Sequence, residues 1–351
     1  MDTTLLNEPV AHPAAWVGPE IARRPDEWIY RLGAEDLADV EQAVRQCRAR
    51  NLKLESITRE DFPLPKFAPR LAKLLDEIRN GRGFVLMRGL GDPRFDRDDL
   101  AIAYWGIGCH LGIPATQNAD HHLLGHVRDE GRAFGKALDA RGYHSNARLE
   151  FHVDGAEIIG LLCLHPAKAG GKSSLVSGVA VYNELLRRHP RHMPTLARGY
   201  KYIKREAAFT SDPVSPHRLP VFGRVGDQVA CRFVRTKIEA ASVKTGEPLS
   251  AEEVAALDAF EEVARDPALR LDMDFQVGDI QLINNYTVLH ARTEFEDWPE
   301  PERKRHLLRL WLTYREAPVL PKGFPRHLGY QQENSEIAYL SDWREREAAF
   351  A

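Results

Sequence analysis

The stretch RLEFHVDG, residues 148–155, combines a short strand-like run with a turn-forming glycine. Residues i and i+2 of a strand point to the same face of a sheet. The imidazole of His152 and the carboxylate of Asp154 can therefore converge on one point, as two ligands of one metal ion must. A chain with 14 histidines also contains such a pair by chance. A histidine and an aspartate that merely share a strand are therefore the alternative.

The region around this stretch is rich in predicted strands. From about residue 145 onward, short apolar or alternating runs recur between Gly, Pro, Asn and Asp, which is typical of a sandwich or a barrel. One earlier run, GFVLMRGL, also indicates a buried strand. The later runs are EIIGLLCL, KSSLVSG, YKYIK, QVACRFV, LRLDMDFQ, IQLINN and LLRLWLTY.

Helical periodicity appears mainly before the strand-rich region and in two interruptions of it. Ser250 and Glu253 form a capping-box pattern at the start of one such helix. No linker-like segment separates the two parts, so we predict a single domain over residues 1–351, mainly β with flanking helices (α+β). The predicted helices are AEDLADVEQAVRQCRAR, RLAKLLDEIRNG, AVYNELLRR, SAEEVAALDAFEEVARD and, near the C-terminus, NSEIAYLSDWREREAAF.

Composition excludes several classes of protein. The chain has 351 residues, a formal net charge of −3 and lysines and arginines scattered among acids, so no nucleic-acid partner is expected. Its longest apolar runs are too short for a membrane span. The four cysteines make no Cys-x-x-Cys pair and indicate no disulfide framework. The N-terminal sequence lacks the pattern of a secretory signal, so we expect a cytoplasmic protein.

A third metal ligand has a candidate in GDIQLINNYTVLHAR, where a predicted strand ends near His290. Two histidines and one carboxylate, with other coordination positions open, are the ligand set of non-haem iron(II) oxygenases. A structural zinc site would more often use four protein ligands. Other candidates for the third ligand lie mostly in loop-like or solvated contexts, and the sequence alone does not exclude them. They are His110, His121, His122, His126, His144 and His165.

Two arginines stand in the late predicted strand ERKRHLLRLWLTY. Arg305 and Arg309 are four residues apart, so they share one face, with α-carbons about 13 Å apart. An arginine that points into a β core is costly unless an anion meets it, and a guanidinium binds a carboxylate by two parallel hydrogen bonds. The alternative is that both arginines face solvent.

The motifs FHVDG, AKAGGKSSLVSG, GDIQLINNYTVLHARTEF and RKRHLLRLWL occur in the order and approximate spacing of one enzyme family. In these motifs the chain resembles the TauD/TfdA family, the taurine dioxygenase-like and clavaminate synthase-like oxygenases that depend on iron(II) and 2-oxoglutarate. The resemblance covers roughly residues 80–315. It implies a double-stranded β-helix, or jelly roll, as the core over about that range.

The resemblance implies a role for each matching residue. His152, Asp154 and His290 correspond to the iron ligands, and Arg305 to the arginine that binds the distal carboxylate of 2-oxoglutarate. Ser173 stands where the family usually has a threonine that contacts the same carboxylate, and it keeps the hydroxyl.

Further positions match regions near the family's active site. Arg309 corresponds to a second arginine that faces an anionic substrate group in some members and supports the site in others. Asn146, Gln117 and Asn118 lie where the family has active-site loops.

The resemblance also implies an activity. We expect an oxidation, most simply hydroxylation, of an unactivated C–H bond of a small molecule, with iron(II), 2-oxoglutarate and O₂ and with release of succinate and CO₂. Halogenating relatives lack the carboxylate that Asp154 supplies here. Dimers and tetramers are common in the family, so a homo-oligomer is compatible with it. Two alternatives are a metal-dependent hydrolase that uses the same ligands and a non-catalytic jelly-roll module that binds a ligand.

Overall fold

The computed structural model of the chain describes residues 7–118, 121–129, 131, 145–204 and 213–327. Its helices are α1 (Gly18–Ala22), α2 (Ala34–Ala49), α3 (Ala68–Arg79), α4 (Arg97–Leu111), α5 (Gly178–Arg188), α6 (Met193–Arg198), α7 (Arg235–Thr245) and α8 (Ala251–Arg265). Its strands are β1 (Ile29–Arg31), β2 (Phe84–Arg88), β3 (Ile113–Pro114), β4 (Leu124–Val127), β5 (Leu149–His152), β6 (Ile158–His165), β7 (Ala169–Gly170), β8 (Ser173–Ser177), β9 (Phe222–Val225), β10 (Gln228–Cys231), β11 (Leu271–Met273), β12 (Ile280–Asn284), β13 (Val288–Arg292), β14 (Phe295–Glu296) and β15 (His306–Thr313).

Two β-sheets form the core and confirm the predicted jelly roll. The larger sheet has the strand order β1-β2-β12-β6-β15-β3, with β4 paired to β15, and the smaller has the order β11-β8-β13-β5. Apart from the parallel β1–β2 pair, the neighbouring strands in these two sheets are antiparallel.

Successive side chains of β15 point alternately to the helix-covered face of the larger sheet and to the opposite face. Leu308, Leu310 and Leu312 belong to the apolar cluster that the larger sheet shares with α2, α3 and α4. Trp311 belongs instead to a cluster with residues of both sheets, including Leu175 and Val288. The face of β15 that carries Trp311 therefore lies between the two sheets, and Arg309 shares that face because side chains alternate.

The outer face of the smaller sheet is covered by a second helical layer. Phe151, Val176 and Leu289 of this sheet share an apolar cluster with Leu185 of α5 and Phe260 of α8. Helices thus cover both outer faces, and the space between the sheets is left for the side chains that carry chemistry.

Several predicted elements need correction. YKYIK forms no named strand: Tyr200 and Ile203 make isolated bridges to Leu219 and Val214. Helix α4 was not predicted, because almost every residue of Arg97–Leu111 from Leu100 onward is buried and no polar face reveals the helical period.

The capping box of Ser250 and Glu253 is confirmed at α8. The predicted C-terminal helix lies outside the described residues.

Among the described residues, no helix combines the length and the apolar character that a membrane span requires. The single-domain organisation stays a prediction.

Candidate metal and co-substrate site

The pairing of β5 with β13 brings the two predicted histidine ligands together. His152 and His290 are direct partners in this antiparallel register, and their ring centroids lie 4.3 Å apart. Since directly opposed residues of paired strands share a face, both imidazoles point into the space between the sheets.

Asp154 lies just beyond the end of β5 and is held by Asn285. The Asp154 backbone N–H donates to Oδ1 of Asn285 at 3.0 Å, and Nδ2 of Asn285 donates to the Asp154 carbonyl at 2.9 Å. Nδ2 also donates to the carbonyl of Ala156 at 2.7 Å, and Asn285 is fully buried. This clamp fixes the aspartate after the strand has ended.

His152, Asp154 and His290 each offer a ligand atom, and these atoms lie within 4.8 Å of one another. Oδ2 of Asp154 is 3.9 Å from Nε2 of His290. Bonds of about 2 Å hold ligand atoms no more than about 4 Å apart, so these three side chains can bind one ion after a short approach toward one another. Two imidazoles and one carboxylate on one side of an ion leave its other positions open.

Both histidines can offer a ring nitrogen to a metal ion. Nδ1 of His152 is 2.8 Å from the carbonyl of Glu150; a carbonyl only accepts, so Nδ1 carries the proton and Nε2 presents a lone pair. Burial, and next the neighbouring His152, lower the pKa of His290 to about 3. The ligand set therefore fits a divalent iron ion.

Arg309 contacts the carboxylate of this site. Its Nη1 lies 3.2 Å from Oδ2 of Asp154, and Nε1 of Trp311 donates to the same oxygen at 3.1 Å. Nε of Arg309 donates to Oε1 of Gln117 at 2.7 Å, and Nε2 of Gln117 donates to the backbone carbonyl of Arg309 at 2.8 Å. Gln117 therefore acts as a brace: its two hydrogen bonds hold the Arg309 side chain in place.

Arg305 is buried, with 3% of its surface exposed. It lines a cavity of ≈ 200 Å³ with Cys163, Gly170, Gly171 and Leu307 among its other walls. Its Nη1 is buried and has no hydrogen-bond partner in the part of the chain that the structure describes, and burial lowers the pKa of Arg305 to about 10. A buried cation with an unused donor fits the carboxylate of a ligand.

The Gly170-Gly171 turn permits the close approach of Arg305. Gly171 has φ +66°, a conformation that favours glycine, and a Cβ there would lie 3.1 Å from Nε of Arg305. The turn leads into β8, where Ser173 is buried and lies within hydrogen-bond distance of Gln281, at 3.0 Å from its Nε2. The serine hydroxyl thus lies between the sheets, as Arg305 does.

The other two predicted loop residues contact their own surroundings. Asn118 interacts with His122 through both its amide atoms. The backbone carbonyl of Asn146 accepts from the Phe295 N–H at 3.2 Å, which ties its loop to β14. These contacts do not join Asn118 or Asn146 to the His152–Asp154–His290 group.

The interpretation of the rival histidines was wrong for three of them. His110 lies in α4, His126 in β4 and His165 in β6. Within the described residues, no other group of histidine, cysteine and carboxylate side chains has metal-ligand spacing. His144 lies outside the described residues.

Sequence reasoning missed the contact of Asn285 with Asp154 and the burial of Arg292. Asn285 belongs to the Asn pair that precedes β13, where nothing in the sequence shows which backbone it would bond. Arg292 is two residues from His290, the same spacing that selected Asp154 after His152, and that rule could have found it.

The site and the double sheet define a non-haem iron oxygenase of the jelly-roll class. A sequence profile described as "Taurine catabolism dioxygenase TauD, TfdA family" matches residues 48–311. The chain belongs to this family, whose members use iron(II), 2-oxoglutarate and O₂.

Relatives of known description agree with this membership. The chain is 27% identical over 326 residues to FR-33289 synthase of Streptomyces rubellomurinus, covering 92% of this chain and 96% of that protein. It is 32% identical over 340 residues to the taurine hydroxylase-like protein SAT17 of Stachybotrys chartarum, covering 93% and 86%. A solved structure of asparagine oxygenase with Fe(II), hydroxyasparagine and succinate matches with a TM-score of 0.63 at 16% identity, over 82% of this chain and 93% of that one, which supports the fold.

Proposed function

We propose that this chain hydroxylates a C–H bond of a polar small molecule, with His152, Asp154 and His290 as the iron ligands. The observation that carries the proposal is the convergence of these three ligand atoms within 4.8 Å. When bound, iron with 2-oxoglutarate and O₂ supplies the oxidation: 2-oxoglutarate becomes succinate and CO₂, and one oxygen atom enters the substrate.

The protein groups hold the ligands in a fixed arrangement. The carbonyl of Glu150 selects the tautomer of His152 whose Nε2 can bind metal. Arg309 and Trp311 both contact Oδ2 of Asp154 and so fix the rotation of its carboxylate. A ligand set that is oriented before the metal arrives loses little freedom on binding it.

Arg305 serves in this proposal as the anchor of the distal carboxylate of 2-oxoglutarate, and the hydroxyl of Ser173 as a further donor. The buried Nη1 of Arg305 has no acceptor within residues 7–118, 121–129, 131, 145–204 and 213–327, so a carboxylate would satisfy it. A hydrolase on the same ligands would have no use for such an anchor.

Arg309 has a positioning role in this proposal. Its contacts to Asp154 and Gln117 leave the guanidinium committed to protein groups. This favours the supporting role seen in some relatives over direct contact with an anionic substrate.

The test is formation of succinate from 2-oxoglutarate by the purified, iron-loaded protein in air. A panel of polar small molecules, including taurine, asparagine and uridine 5′-phosphate, is screened for stimulation of the rate. The proposal predicts succinate from the wild-type protein and none above background from Asp154→Ala. Equal succinate from both proteins would contradict it.

A further inference from the structure

A second buried guanidinium lies beside the proposed co-substrate site. Arg292 ends β13, two residues after His290, and only 5% of its surface is exposed. It is the direct register partner of Ser173 on β8. Arg292 and Ser173 therefore lie directly opposite each other on neighbouring strands of the smaller sheet.

Only part of the Arg292 guanidinium is satisfied by the protein. Nη2 donates to the backbone carbonyl of Ser145 at 2.6 Å and also to that of Ala147. Nε and Nη1 are buried and have no hydrogen-bond partner among the described residues, as is also true of Nη1 of Arg305. Two neighbouring arginines thus keep unused donors in a buried place, which is costly unless a ligand accepts them.

The two arginines flank one aromatic ring. The guanidinium carbons of Arg292 and Arg305 lie 4.8 Å and 5.1 Å from the ring centroid of Phe295. Both cations therefore lie around one ring, that of Phe295, which pairs with Gly170 of the Gly170-Gly171 turn.

The positive charge there is incompletely balanced. Arg305 is the neighbouring cation, and Asp129 and Asp297 are the carboxylates that act on Arg292 from a distance. No carboxylate of the described residues lies within 4.0 Å of either guanidinium. An added anion would relieve this excess charge.

The distance along β13 from His290 to Arg292 suits the second carboxylate of an extended dicarboxylate. A two-residue step on a strand is about 7 Å, which is comparable to the length of 2-oxoglutarate. A molecule that chelates a metal at the level of His290 can therefore reach the level of Arg292 and Ser173 with its other carboxylate.

We infer that Arg292 is a second arginine for the distal carboxylate of 2-oxoglutarate, which it binds together with Arg305. The inference rests on the proposed function, in which Arg305 anchors that carboxylate. Arg292 also ties the backbone at residues 145–147 to the same point, so one side chain joins the co-substrate to the loop that carries Asn146.

The test measures binding without turnover. Iron-loaded protein is titrated anaerobically with 2-oxoglutarate and with 2-oxobutanoate, which has the same chelating end but no distal carboxylate, and the absorption of the chelate gives each dissociation constant. Arg292→Gln should weaken 2-oxoglutarate about 10-fold or more and leave 2-oxobutanoate unchanged, because one charged hydrogen-bonding partner is lost.

Matched variants separate this role from a structural one. Arg265→Gln removes a partly exposed arginine of α8, which pairs with the Glu150 side chain of β5, and should change neither constant. Arg292→Lys keeps the positive charge and should give an intermediate loss for 2-oxoglutarate alone. It provides the same comparison if the glutamine variant does not fold.

Each remaining outcome counts against the inference. Equal weakening of both ligands would show that Arg292 only holds the backbone at 145–147. Wild-type affinity for 2-oxoglutarate in Arg292→Gln would show that it takes no part. If the wild-type protein itself bound both ligands equally, the anchor at Arg305 would fail as well, and this result distinguishes failure of the proposed function from failure of the inference.

Discussion

Nη1 of Arg309 lies 3.2 Å from Oδ2 of Asp154, the oxygen that is also 3.9 Å from Nε2 of His290. An arginine on the larger sheet thereby orients a metal-ligand candidate that follows the smaller sheet. Side chains from both sheets therefore approach the Asp154 carboxylate.

Arg309→Met is expected to lower the affinity for iron(II) by about 10- to 100-fold, because the carboxylate loses a partner that fixes its orientation. The measurement is a titration of the metal-free protein with iron(II) under anaerobic conditions. Unchanged iron affinity together with weaker binding of an anionic substrate would instead assign Arg309 to the substrate.

Asn285→Ala should weaken both folding and metal binding. The substitution leaves the Asp154 backbone N–H without its partner and opens a buried polar space, at a cost of about 1–3 kcal/mol in the free energy of unfolding. Urea denaturation measures the first effect, and iron(II) titration measures the second.

Asn284→Ala provides the matched control for that variant. Asn284 is also buried, but its side chain bonds to the backbone of Tyr286 and Arg79 and makes no described contact with Asp154. It should lose stability and keep the iron affinity. A similar loss of iron affinity in both variants would mean that Asn285 acts only through general stability.

Arg305→Gln should raise the concentration of 2-oxoglutarate required for half-maximal rate far more than the concentration of iron. The reason is that the variant loses a buried charge-assisted hydrogen bond to the distal carboxylate. Ser173→Ala should raise it less, and Ser173→Thr should leave it near the wild-type value. An unchanged requirement in Arg305→Gln would contradict its role as the anchor.

A histidine cluster outside the site predicts how stability depends on pH. Nδ1 of His306 lies 2.6 Å from Nη2 of Arg97, and its Nε2 lies 2.8 Å from Nδ1 of His126. Burial, and then the charges of His126, Arg97, Arg128 and His165, lower the pKa of His306 well below its ordinary value.

The direction of the pH effect follows from this shift. The unfolded chain takes up a proton at His306 near pH 6.5, and the folded chain does so only at lower pH, so the stabilisation is complete above about pH 6.5 and decreases as the pH falls below it. The slope contributed by one such histidine is at most about 1.4 kcal/mol per pH unit.

His306→Leu should therefore reduce the loss of unfolding free energy between pH 7 and pH 5. The control is His217→Leu at an exposed position, which should keep the wild-type slope. Denaturant unfolding at a series of pH values measures both, and an unaltered slope in His306→Leu would contradict the assignment.

The sequence predicted much of the site because strand alternation is a local property. The i, i+2 rule selected His152 with Asp154, and the same rule selected the shared face of Arg305 and Arg309. Local alternation, however, does not show which face is buried. The structure shows that both arginines are buried.

Other features depend on contacts between distant parts of the chain. The register that opposes His152 to His290 is set by the packing of two strands far apart in sequence. The clamp of Asn285 on Asp154 and the brace of Gln117 on Arg309 likewise join residues more than a hundred positions apart. Local patterns contain no signal for such pairs.

The central claim is that His152, Asp154 and His290 hold iron in a way that leaves room for 2-oxoglutarate to chelate it. The most direct measurement is the visible spectrum of iron(II)-loaded protein when 2-oxoglutarate is added without oxygen. We expect a charge-transfer absorption in the wild-type protein that is absent in Asp154→Ala. A wild-type protein that binds iron and develops no such absorption would contradict it.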